Sequence, residues 1–407
     1  MASTTGYKPL KTVFHASRHG HSELEKEHAQ RLDSPATLQW DFTVVGHPLF
    51  LMMTVELAAL LERIWHTELR ISEKWAALPG IGRQHYLLGI LISEIRATNA
   101  IEGIFSTRKE IASALERPST TAHKRFREMA GLYQSLLVPD SERMEFPKTV
   151  QQLRKLYDEL LAHEIAAEDA PDGKHFRRQE VTIFDGTKTL HRAPGAEEDI
   201  EHRMGTFLRT QASTENSLVQ AIVGHFMFEY THPFYDGNGR LGRFLLAFRL
   251  LDVLSAPTAM SLSHQFSVQR AKYYSAFQQA EQSLNRGEVT FFVKAIADLI
   301  GDAQLELEES LDEKRVQLLN LEGRIGGAEF SDYQKAFLSI LGQAFLFGPH
   351  EPVSLQEIGQ YMGKHWNTVR PVARELVAQG VVREVSKKPL SFELTEKGTA
   401  ILGLQGV

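Results

Sequence analysis

One short segment, HPFYDGNGRLGR at residues 232–243, concentrates the groups of this chain that could do chemistry. It lies between two strongly apolar stretches, which predict a buried helix on each side. Pro233 is incompatible with continuing the first helix, and the second helix is expected to begin near Asn238. Its free amide groups and positive dipole end would then point into the loop. The segment therefore predicts an anion site at one end of a helical core.

The side chains of this segment suit a ligand that carries phosphates. Arg240 and Arg243 are three residues apart and would share one helix face, and two guanidinium groups suit a polyphosphate better than a single carboxylate. Asp236 is a carboxylate of the kind that binds magnesium together with phosphate oxygens. His232 has an ordinary pKa near ~6.5, which suits a general base acting on a hydroxyl. These residues predict a nucleotidyl or phosphoryl transfer site.

The segment resembles the Fic motif, H-x-F-x-[D/E]-G-N-G-R-x-x-R, at every specified position. The resemblance covers about residues 40–310, because the apolar helices resemble the Fic core and a hairpin predicted at 181–192 resembles the Fic flap. It implies transfer of AMP from ATP, with Mg²⁺, to a Ser, Thr or Tyr hydroxyl of a target protein. It also implies that the target protein docks on the flap as an added strand.

The resemblance gives each residue of the motif a role. His232 would deprotonate the target hydroxyl, Asp236 would hold magnesium, and Phe234 would anchor the loop to the core. The residues that would bind the phosphates are Gly237, Asn238, Gly239, Arg240 and Arg243. Tyr273 or Tyr274 would contact the nucleoside, and the sequence does not choose between them.

A second segment, TNAIEG at residues 98–103, allows two interpretations. By itself it is typical of an exposed helix end with Gly103 as the C-cap. It also resembles the [S/T]-x-x-x-E-[G/N] motif of Fic proteins that carry an N-terminal inhibitory helix. Thr98 and Glu102 are four residues apart and would share one helix face. The resemblance implies that Glu102 pairs with Arg243 and holds AMP transfer low.

Composition excludes several classes of protein. The absence of cysteine excludes disulfides and thiolate chemistry. A net charge of −6 gives no global attraction to nucleic acid or to acidic membranes. No apolar run reaches the ~20 residues that span a bilayer, and the N-terminus has no apolar signal region. We therefore expect a soluble cytoplasmic protein without a membrane partner.

The pattern along the chain predicts a mainly α-helical fold, with a Fic-type helical core, a small β-hairpin flap and a C-terminal winged helix-turn-helix. The predicted parts are a polar irregular N-terminal segment at 1–40, a helical region with the inhibitory helix at 41–130, the Fic core at 131–322, a linker at 323–332 and a winged-helix domain at 333–407.

The C-terminal part resembles a winged-helix domain that reads DNA or docks a protein. Helix 365–379 would be the recognition helix, and residues 386–389 would be the wing. The side chains that could touch DNA are His365, Asn367, Thr368, Arg370, Arg374, Lys387 and Lys388. From 331 to 407 the 8 Lys and Arg exceed the 7 Asp and Glu by only one, so charge does not decide between the two interpretations.

Together these features predict a protein adenylyltransferase with built-in inhibition, which acts on another protein or on itself. One alternative is removal of AMP, or transfer of another nucleotide, at the same site. Another is a DNA-binding regulator whose Fic domain senses nucleotide or modifies itself. A catalytically silent scaffold is a third, against which the intact motif argues. The sequence leaves open the target, the modified residue and whether the chain forms a homodimer.

Overall fold

The computed structural model describes residues 6–115, 125–139, 141–161, 163–185, 188–193, 195–212, 217–348 and 352–405. The chain divides into two compact units, each made of two stretches of sequence. Unit 1 is Met1–Glu68 with Ile92–Ala303, and unit 2 is Leu69–Leu91 with Gln304–Val407. The predicted domain bounds do not coincide with these units. In the part of the chain described here, no helix is long and apolar enough to cross a membrane.

The described part of the chain is mostly helical, as predicted. Its α-helices are α1 (Leu10–Ala16), α2 (His21–Leu32), α3 (Val55–Ala76), α4 (Gly80–Ile101), α5 (Arg108–Leu115), α6 (Arg127–Ser135), α7 (Val150–Leu160), α8 (Glu197–Gln211), α9 (Leu218–Thr231), α10 (Asn238–Leu250), α11 (Ala256–Ala259), α12 (Leu262–Val268), α13 (Arg270–Ala280), α14 (Thr290–Gly327), α15 (Asp332–Phe347), α16 (Leu355–Tyr361), α17 (Trp366–Ala378) and α18 (Glu396–Leu402).

The strands form three small antiparallel sheets. They are β1 (Thr37–Val44), β2 (His47–Met52), β3 (Thr182–Asp185), β4 (Lys188–Arg192), β5 (Val353–Ser354), β6 (Val382–Lys387) and β7 (Leu390–Leu394). β1 pairs with β2 and β3 with β4, while the third sheet has the order β5-β7-β6.

Helices α9 and α10 form the centre of unit 1. Almost every residue of both is buried, as expected for helices that are apolar all round. The Ser217 hydroxyl caps α9 by accepting a hydrogen bond from the Gln220 amide at 3.1 Å. Phe226 and Phe244 are fully buried, one on each helix. These two helices fix the ends of the loop at 232–237, where the chemistry was predicted.

The predicted irregular segment at 1–40 is wrong, because it contains α1, α2 and the start of β1. A small cluster of Leu10, Leu24 and Phe50 is fully buried. Arg31 donates to the carboxylate of Glu288 at 2.7 Å, and both side chains are almost inaccessible to solvent. The sequence pattern missed this segment because its helices are short and are held by long-range contacts.

The helical region predicted at 41–130 is wrong at its start, because residues 37–52 form the hairpin β1–β2. Val44 pairs with His47 across a two-residue turn. Val45 and Gly46 in that turn have φ values of 50° and 81°, as the favoured hairpin turns require. The apolar run after the turn is too short for its period to separate strand from helix.

The predicted flap hairpin is present as β3 and β4, whose backbones pair antiparallel from Thr182 opposite Arg192 to Asp185 opposite Lys188. Gly186, where the turn was predicted, lies outside the described residues.

Unit 2 contains the predicted order of three helices followed by a hairpin, in α15, α16, α17 and β6–β7. The predicted linker at 323–332 is wrong in its first half, since α14 continues to Gly327. Leu318, Leu321 and Ile325 are buried at helical spacing, so packing holds this helix despite its glycines. Ser331 then starts α15 with a capping box that includes Gln334.

We predict that Arg31→Leu lowers the free energy of unfolding by about 3–5 kcal/mol, because it leaves the carboxylate of Glu288 buried without its cation. The measurement is urea unfolding followed by circular dichroism, in which the transition of unit 1 should shift. Lys148→Leu is the control, because Lys148 pairs with Glu145 at the surface and its loss should change little. Equal shifts for both variants would contradict the anchoring role of Arg31.

Candidate active site

The loop between α9 and α10 is held in one conformation by its own polar groups. Asn238, which is 1% exposed, accepts a hydrogen bond from the Phe234 amide at 2.9 Å and donates to the Phe234 carbonyl at 2.8 Å. Phe234 is fully buried and stacks on Tyr157 at 3.7 Å between ring centroids. Phe234 thus lies where a core anchor was predicted. The Asn238 side chain is occupied in fixing the loop, so only its backbone amide can serve a ligand.

Helix α10 begins at the predicted residue, with its amino end facing the loop. Gly237 is the N-cap, with φ of 81°. A Cβ at this position would lie 2.2 Å from a methyl carbon of Leu161. The first intrahelical bond runs from the Leu241 amide to the Gly237 carbonyl, so the amides of residues 238–240 precede it. These amides and the helix dipole form a site for an anion.

Arg240 and Arg243, which were predicted to share one helix face, have different partners. The Arg240 side chain is 0% exposed, donates to Glu164 at 2.8 Å and lies 3.3 Å from Asp236. It is not among the residues that line the neighbouring pocket, whereas Arg243 is. The guanidinium of Arg240 bonds Glu164, in the loop that follows α7, whereas Arg243 lies at the pocket. Arg240 therefore braces the loop, and Arg243 is the arginine that lines the pocket.

Arg243 is held by Thr98 and Glu102 of the segment predicted to be inhibitory. Its Nε donates to the Thr98 hydroxyl at 2.8 Å, and its Nη2 donates to the Thr98 carbonyl at 3.0 Å. The same Nη2 donates to Glu102 Oε1 at 2.7 Å. The Glu102 side chain is 28% exposed and the Arg243 side chain 2%, so the pair lies at the inner wall of the pocket.

Glu102 lies one residue past the end of α4, and not on the helix as predicted. The Gly103 amide bonds the Ala100 carbonyl, and the Ile104 amide bonds the Asn99 carbonyl. Gly103 has φ of 73°, so this is a Schellman end with glycine at the left-handed position. The two interpretations of TNAIEG are therefore compatible: the helix ends here, and its end presents Glu102 to Arg243.

The two charges stabilise each other's ionised forms. Burial alone would raise the pKa of Glu102, but the Arg243 guanidinium outweighs it and holds this pKa below its ordinary value. Burial likewise opposes the charge of Arg243, whereas Glu102, Tyr273 and Glu229 raise its pKa. A Cβ on Gly239 would lie 2.1 Å from Glu102 Oε1, so the glycine allows the carboxylate to approach α10.

The pocket runs along one face of α13. It is lined by Glu102, Glu229, His232, Gly239, Arg243, Tyr273, Tyr274, Phe277, Gln278 and Glu281. Tyr273 is 2% exposed, and its hydroxyl bonds His225 Nε2 at 2.8 Å. Tyr274 is half-buried, so its hydroxyl is the more accessible of the two. The pocket brings together His232 and Arg243 with an aromatic wall.

Sequence reasoning missed several residues of this site. Glu229 lies one helical turn before His232 and lines the pocket, and burial raises the pKa of its carboxyl to about 8. Glu94 accepts hydrogen bonds from Ser263, and burial raises its pKa to about 7. Arg177 donates to the carbonyl of His232 at 2.8 Å. Glu229 sits at helical spacing before the motif, whereas the other contacts cross long stretches of sequence.

Asp236 is the residue through which this site could hold magnesium. Its carboxylate is 44% exposed, and Oδ1 accepts a hydrogen bond from the Gly237 amide at 2.6 Å. No group of three or more metal-ligating side chains occurs in the described residues. Magnesium needs only one or two carboxylates when phosphates supply further oxygens, so Asp236 fits this use.

In unit 2, the residues predicted to touch DNA divide into two sets. Arg370, Arg374 and Lys387 line a groove between α17 and the hairpin β6–β7, together with Trp366. Asn367, Thr368 and Lys388 are exposed but do not line that groove. His365 caps α17 through its ring nitrogen, which accepts from the Asn367 amide at 3.3 Å.

We predict that Asn238→Leu destabilises the protein by about 1–3 kcal/mol, because it leaves the Phe234 amide and carbonyl buried without partners. Urea unfolding measures the change. Asn320→Leu is the control, since Asn320 is exposed on α14 and its loss should have little effect. If the two variants unfolded at the same urea concentration, the hydrogen bonds between Asn238 and the Phe234 backbone would not stabilise the loop.

Comparison with known proteins agrees with this geometry. The sequence model of the Fic/DOC family matches residues 147–250, which include α7 to α10. Protein adenylyltransferase Fic of Drosophila sechellia is 28% identical over 151 residues, or 37% of this chain and 27% of the relative. The corresponding protein of Aedes aegypti matches to the same extent. The chain thus spans about a quarter of the length of these relatives.

A solved structure shares the fold more widely. The crystal structure of a Fic family protein from Desulfovibrio desulfuricans G20 covers 85% of this chain and 98% of its own, with a TM-score of 0.51 and 19% identity. The resemblance seen in the motif is confirmed for residues 147–250, which match the sequence model of the Fic/DOC family.

Proposed function

We propose that this chain is a protein adenylyltransferase, which transfers AMP from ATP to a Ser, Thr or Tyr hydroxyl of a protein. One observation carries the proposal: His232 and Arg243 line one pocket at the amino end of α10. A base, a cation and free helix amides are the groups that such a transfer requires. The relatives named protein adenylyltransferase support the same reaction.

In the proposed reaction, His232 accepts the proton of the target hydroxyl. The hydroxyl oxygen then attacks the α-phosphorus of ATP, and the bond to the β,γ-diphosphate breaks, so that pyrophosphate leaves. The amides at the start of α10 and the guanidinium of Arg243 bind the phosphate oxygens and stabilise their charge. Asp236 would hold magnesium, which neutralises phosphate charge when it is bound. Tyr274 would contact the nucleoside.

The target protein is proposed to dock on the flap formed by β3 and β4. A two-stranded sheet has unpaired backbone groups at its edges, and an extended segment of the target can add to such an edge. Main-chain pairing of this kind would place a hydroxyl near His232 with little dependence on the target's sequence.

We propose further that Glu102 inhibits the transfer by occupying Arg243. The carboxylate accepts from Nη2 at 2.7 Å, which is the contact that a γ-phosphate oxygen would make. ATP that binds without Arg243 would present its α-phosphate out of line with the attacking hydroxyl. Thr98 would keep the guanidinium in place whether or not Glu102 is bound to it. Its hydroxyl and carbonyl contact Arg243 independently of the Glu102 carboxylate.

We predict that Glu102→Gly raises AMP transfer on the order of 5–150-fold, the usual range of coupling between two sites. The measurement is incorporation of label from α-phosphate-labelled ATP into protein, in the presence of magnesium. The double variant Glu102→Gly with His232→Ala is the control and should not incorporate label. Release of AMP from a labelled target by the wild type, without any transfer by Glu102→Gly, would favour AMP removal instead.

The inhibition should not depend on pH near neutrality. The pKa of Glu102 is lowered, so the ion pair is fully formed at any pH above the range in which a glutamate ordinarily titrates. It is lost only as the pH falls through the lowered pKa of Glu102. We predict a constant ratio of Glu102→Gly to wild-type activity from about pH 6 to about pH 9. A ratio that changed near neutrality would implicate Glu229 or Glu94, whose pKa values lie at about 8 and about 7.

A second candidate function, DNA binding by unit 2, is supported by the groove that contains Arg370, Arg374 and Lys387. The order of helices and hairpin is that of a winged helix-turn-helix, with α17 as the recognition helix. In this alternative the chain is a DNA-binding regulator, and the Fic domain senses nucleotide or modifies the chain itself. The same groove could instead dock a protein.

If the groove binds DNA phosphates, Arg370→Ala with Arg374→Ala should reduce the slope of log affinity against log salt by about 2. Fluorescence anisotropy with a labelled duplex, from about 50 to about 200 mM salt, measures this slope. Lys397→Ala is the control, because Lys397 is exposed outside the groove. Binding that does not depend on salt, or no binding, would favour protein docking.

A further inference from the structure

We propose that Arg177 is a positioning residue for catalysis, whose buried guanidinium holds the backbone of His232 so that its ring lies in the pocket. This inference rests on the proposed function, in which His232 is the general base. Arg177 does not line the pocket and would act only through His232.

The contacts of Arg177 converge on the end of α9 and the start of the loop. Its Nε donates to the His232 carbonyl at 2.8 Å, and its Nη2 donates to the Thr231 carbonyl at 3.3 Å. The backbone amide of Arg177 donates to the Pro233 carbonyl at 3.2 Å. The residue is 0% exposed. Three consecutive carbonyls, with His232 in the middle, are thus bound by one residue.

His232 needs such support because its backbone is unfavourable. It has φ of 50° and ψ of 62°, the left-handed conformation that side chains with a Cβ rarely adopt. Conformations of this kind persist only where the surrounding structure determines them, and they cluster at functional sites. Here the residue in question is also the proposed base.

The charge of Arg177 matches the end of the helix. The last carbonyls of a helix lack intrahelical donors and carry the negative end of its dipole, so a cation binds well there. Burial lowers the pKa of Arg177 to about 10, which leaves the guanidinium charged at neutral pH. The planar guanidinium bonds the carbonyls of Thr231, His232 and Gln179 at once. An ammonium group cannot do this with the same geometry.

Arg177 also connects His232 with the chain that leads into the flap. Its Nη1 donates to the Gln179 carbonyl, and β3 begins three residues later at Thr182. The Gln179 amide donates to the Tyr235 hydroxyl at 3.2 Å, and this hydroxyl donates to Asp172 at 2.8 Å. The segment at 172–179 therefore braces the loop and the root of the flap together. Target docking and base position would depend on the same guanidinium.

The test compares Arg177→Lys and Arg177→Ala in the full-length Glu102→Gly background. We expect kcat for AMP transfer to fall about 100-fold in both, since small misplacements of a catalytic group have effects of this size. The Kd for ATP should stay within about twofold of the parent, because Arg177 does not line the pocket. Added methylguanidinium should restore part of the turnover of Arg177→Ala, and Arg177→Lys decides the outcome if the alanine variant does not fold.

Arg203→Lys is the matched control. Arg203 also donates to a backbone carbonyl, that of Thr43 at 2.9 Å, and packs over the rings of Phe42 and Tyr230. These contacts of Arg203 do not include the loop at 232–237. Its kcat should equal that of the parent. Unchanged kcat in both Arg177 variants, or a loss matched by an equal loss of ATP binding, would overturn the proposal.

A second measurement does not depend on activity. The ring resonances of His232, assigned by comparison with His232→Ala, should shift in Arg177→Lys and not in Arg203→Lys. If the Glu102→Gly parent transferred no AMP, the proposed function would fail, while these spectra would still decide whether Arg177 positions His232. Resonances that do not move would overturn the positioning role.

Discussion

The ion pair between Glu102 and Arg243 is the contact on which the proposed inhibition depends. It links the end of α4 to the helix whose amino terminus forms the anion site, with 2.7 Å between Oε1 and Nη2. A buried guanidinium paired with a partly exposed carboxylate gains little net stability, since desolvation opposes their attraction. We therefore interpret the pair as regulatory. The Glu102 carboxylate and a phosphate of the nucleotide would compete for the Arg243 guanidinium.

The surrounding structure makes this competition possible by fixing everything else. Asn238 holds the loop through hydrogen bonds, and Arg240 forms an ion pair with Glu164. Thr98 accepts a hydrogen bond from Arg243 and so orients its guanidinium. Gly239 leaves room for the Glu102 carboxylate beside α10. In the proposed inhibition, one short segment moves to release Arg243, and the proposed base and the helix amides keep their places. The Schellman end at Gly103 places that segment at the margin of a helix, where rearrangement is least costly.

The sequence predicted the parts of the site that are local in the chain. The motif at 232–243 indicated the break between two buried helices, the start of α10 and the buried anchor Phe234. It could not indicate the direction of each side chain. Arg240 and Arg243 have the same charge and a spacing that favours one face, yet Glu164 from a distant loop buries the first and Glu102 pairs with the second. Arg177 was missed for the same reason, because its partners at the end of α9 lie more than fifty residues away.

Segments whose pattern is short were predicted less well than long periodic helices. Most of the hairpin at 37–52 was assigned to the helical region, because its apolar run is too short to show a period. The helices within 1–40 were assigned to an irregular segment, because α1 has only 7 residues and α2, with 12, is mainly polar. Tertiary contacts, such as that of Arg31 with Glu288, decide these segments instead. The glycines at 323–327 led to the prediction of a linker where the chain is helical. Buried neighbouring residues keep α14 helical through these glycines.

The most direct test of the central claim is a pair of crystal structures with ATP and magnesium, one of the wild type and one of Glu102→Gln. The account predicts that in Glu102→Gln the γ-phosphate contacts Arg243 and the α-phosphorus lies in line with the position of a hydroxyl at His232. In the wild type, Glu102 should still hold Arg243, and the α-phosphate should be turned away. The same phosphate pose in both proteins would contradict the claim that this ion pair controls the reaction.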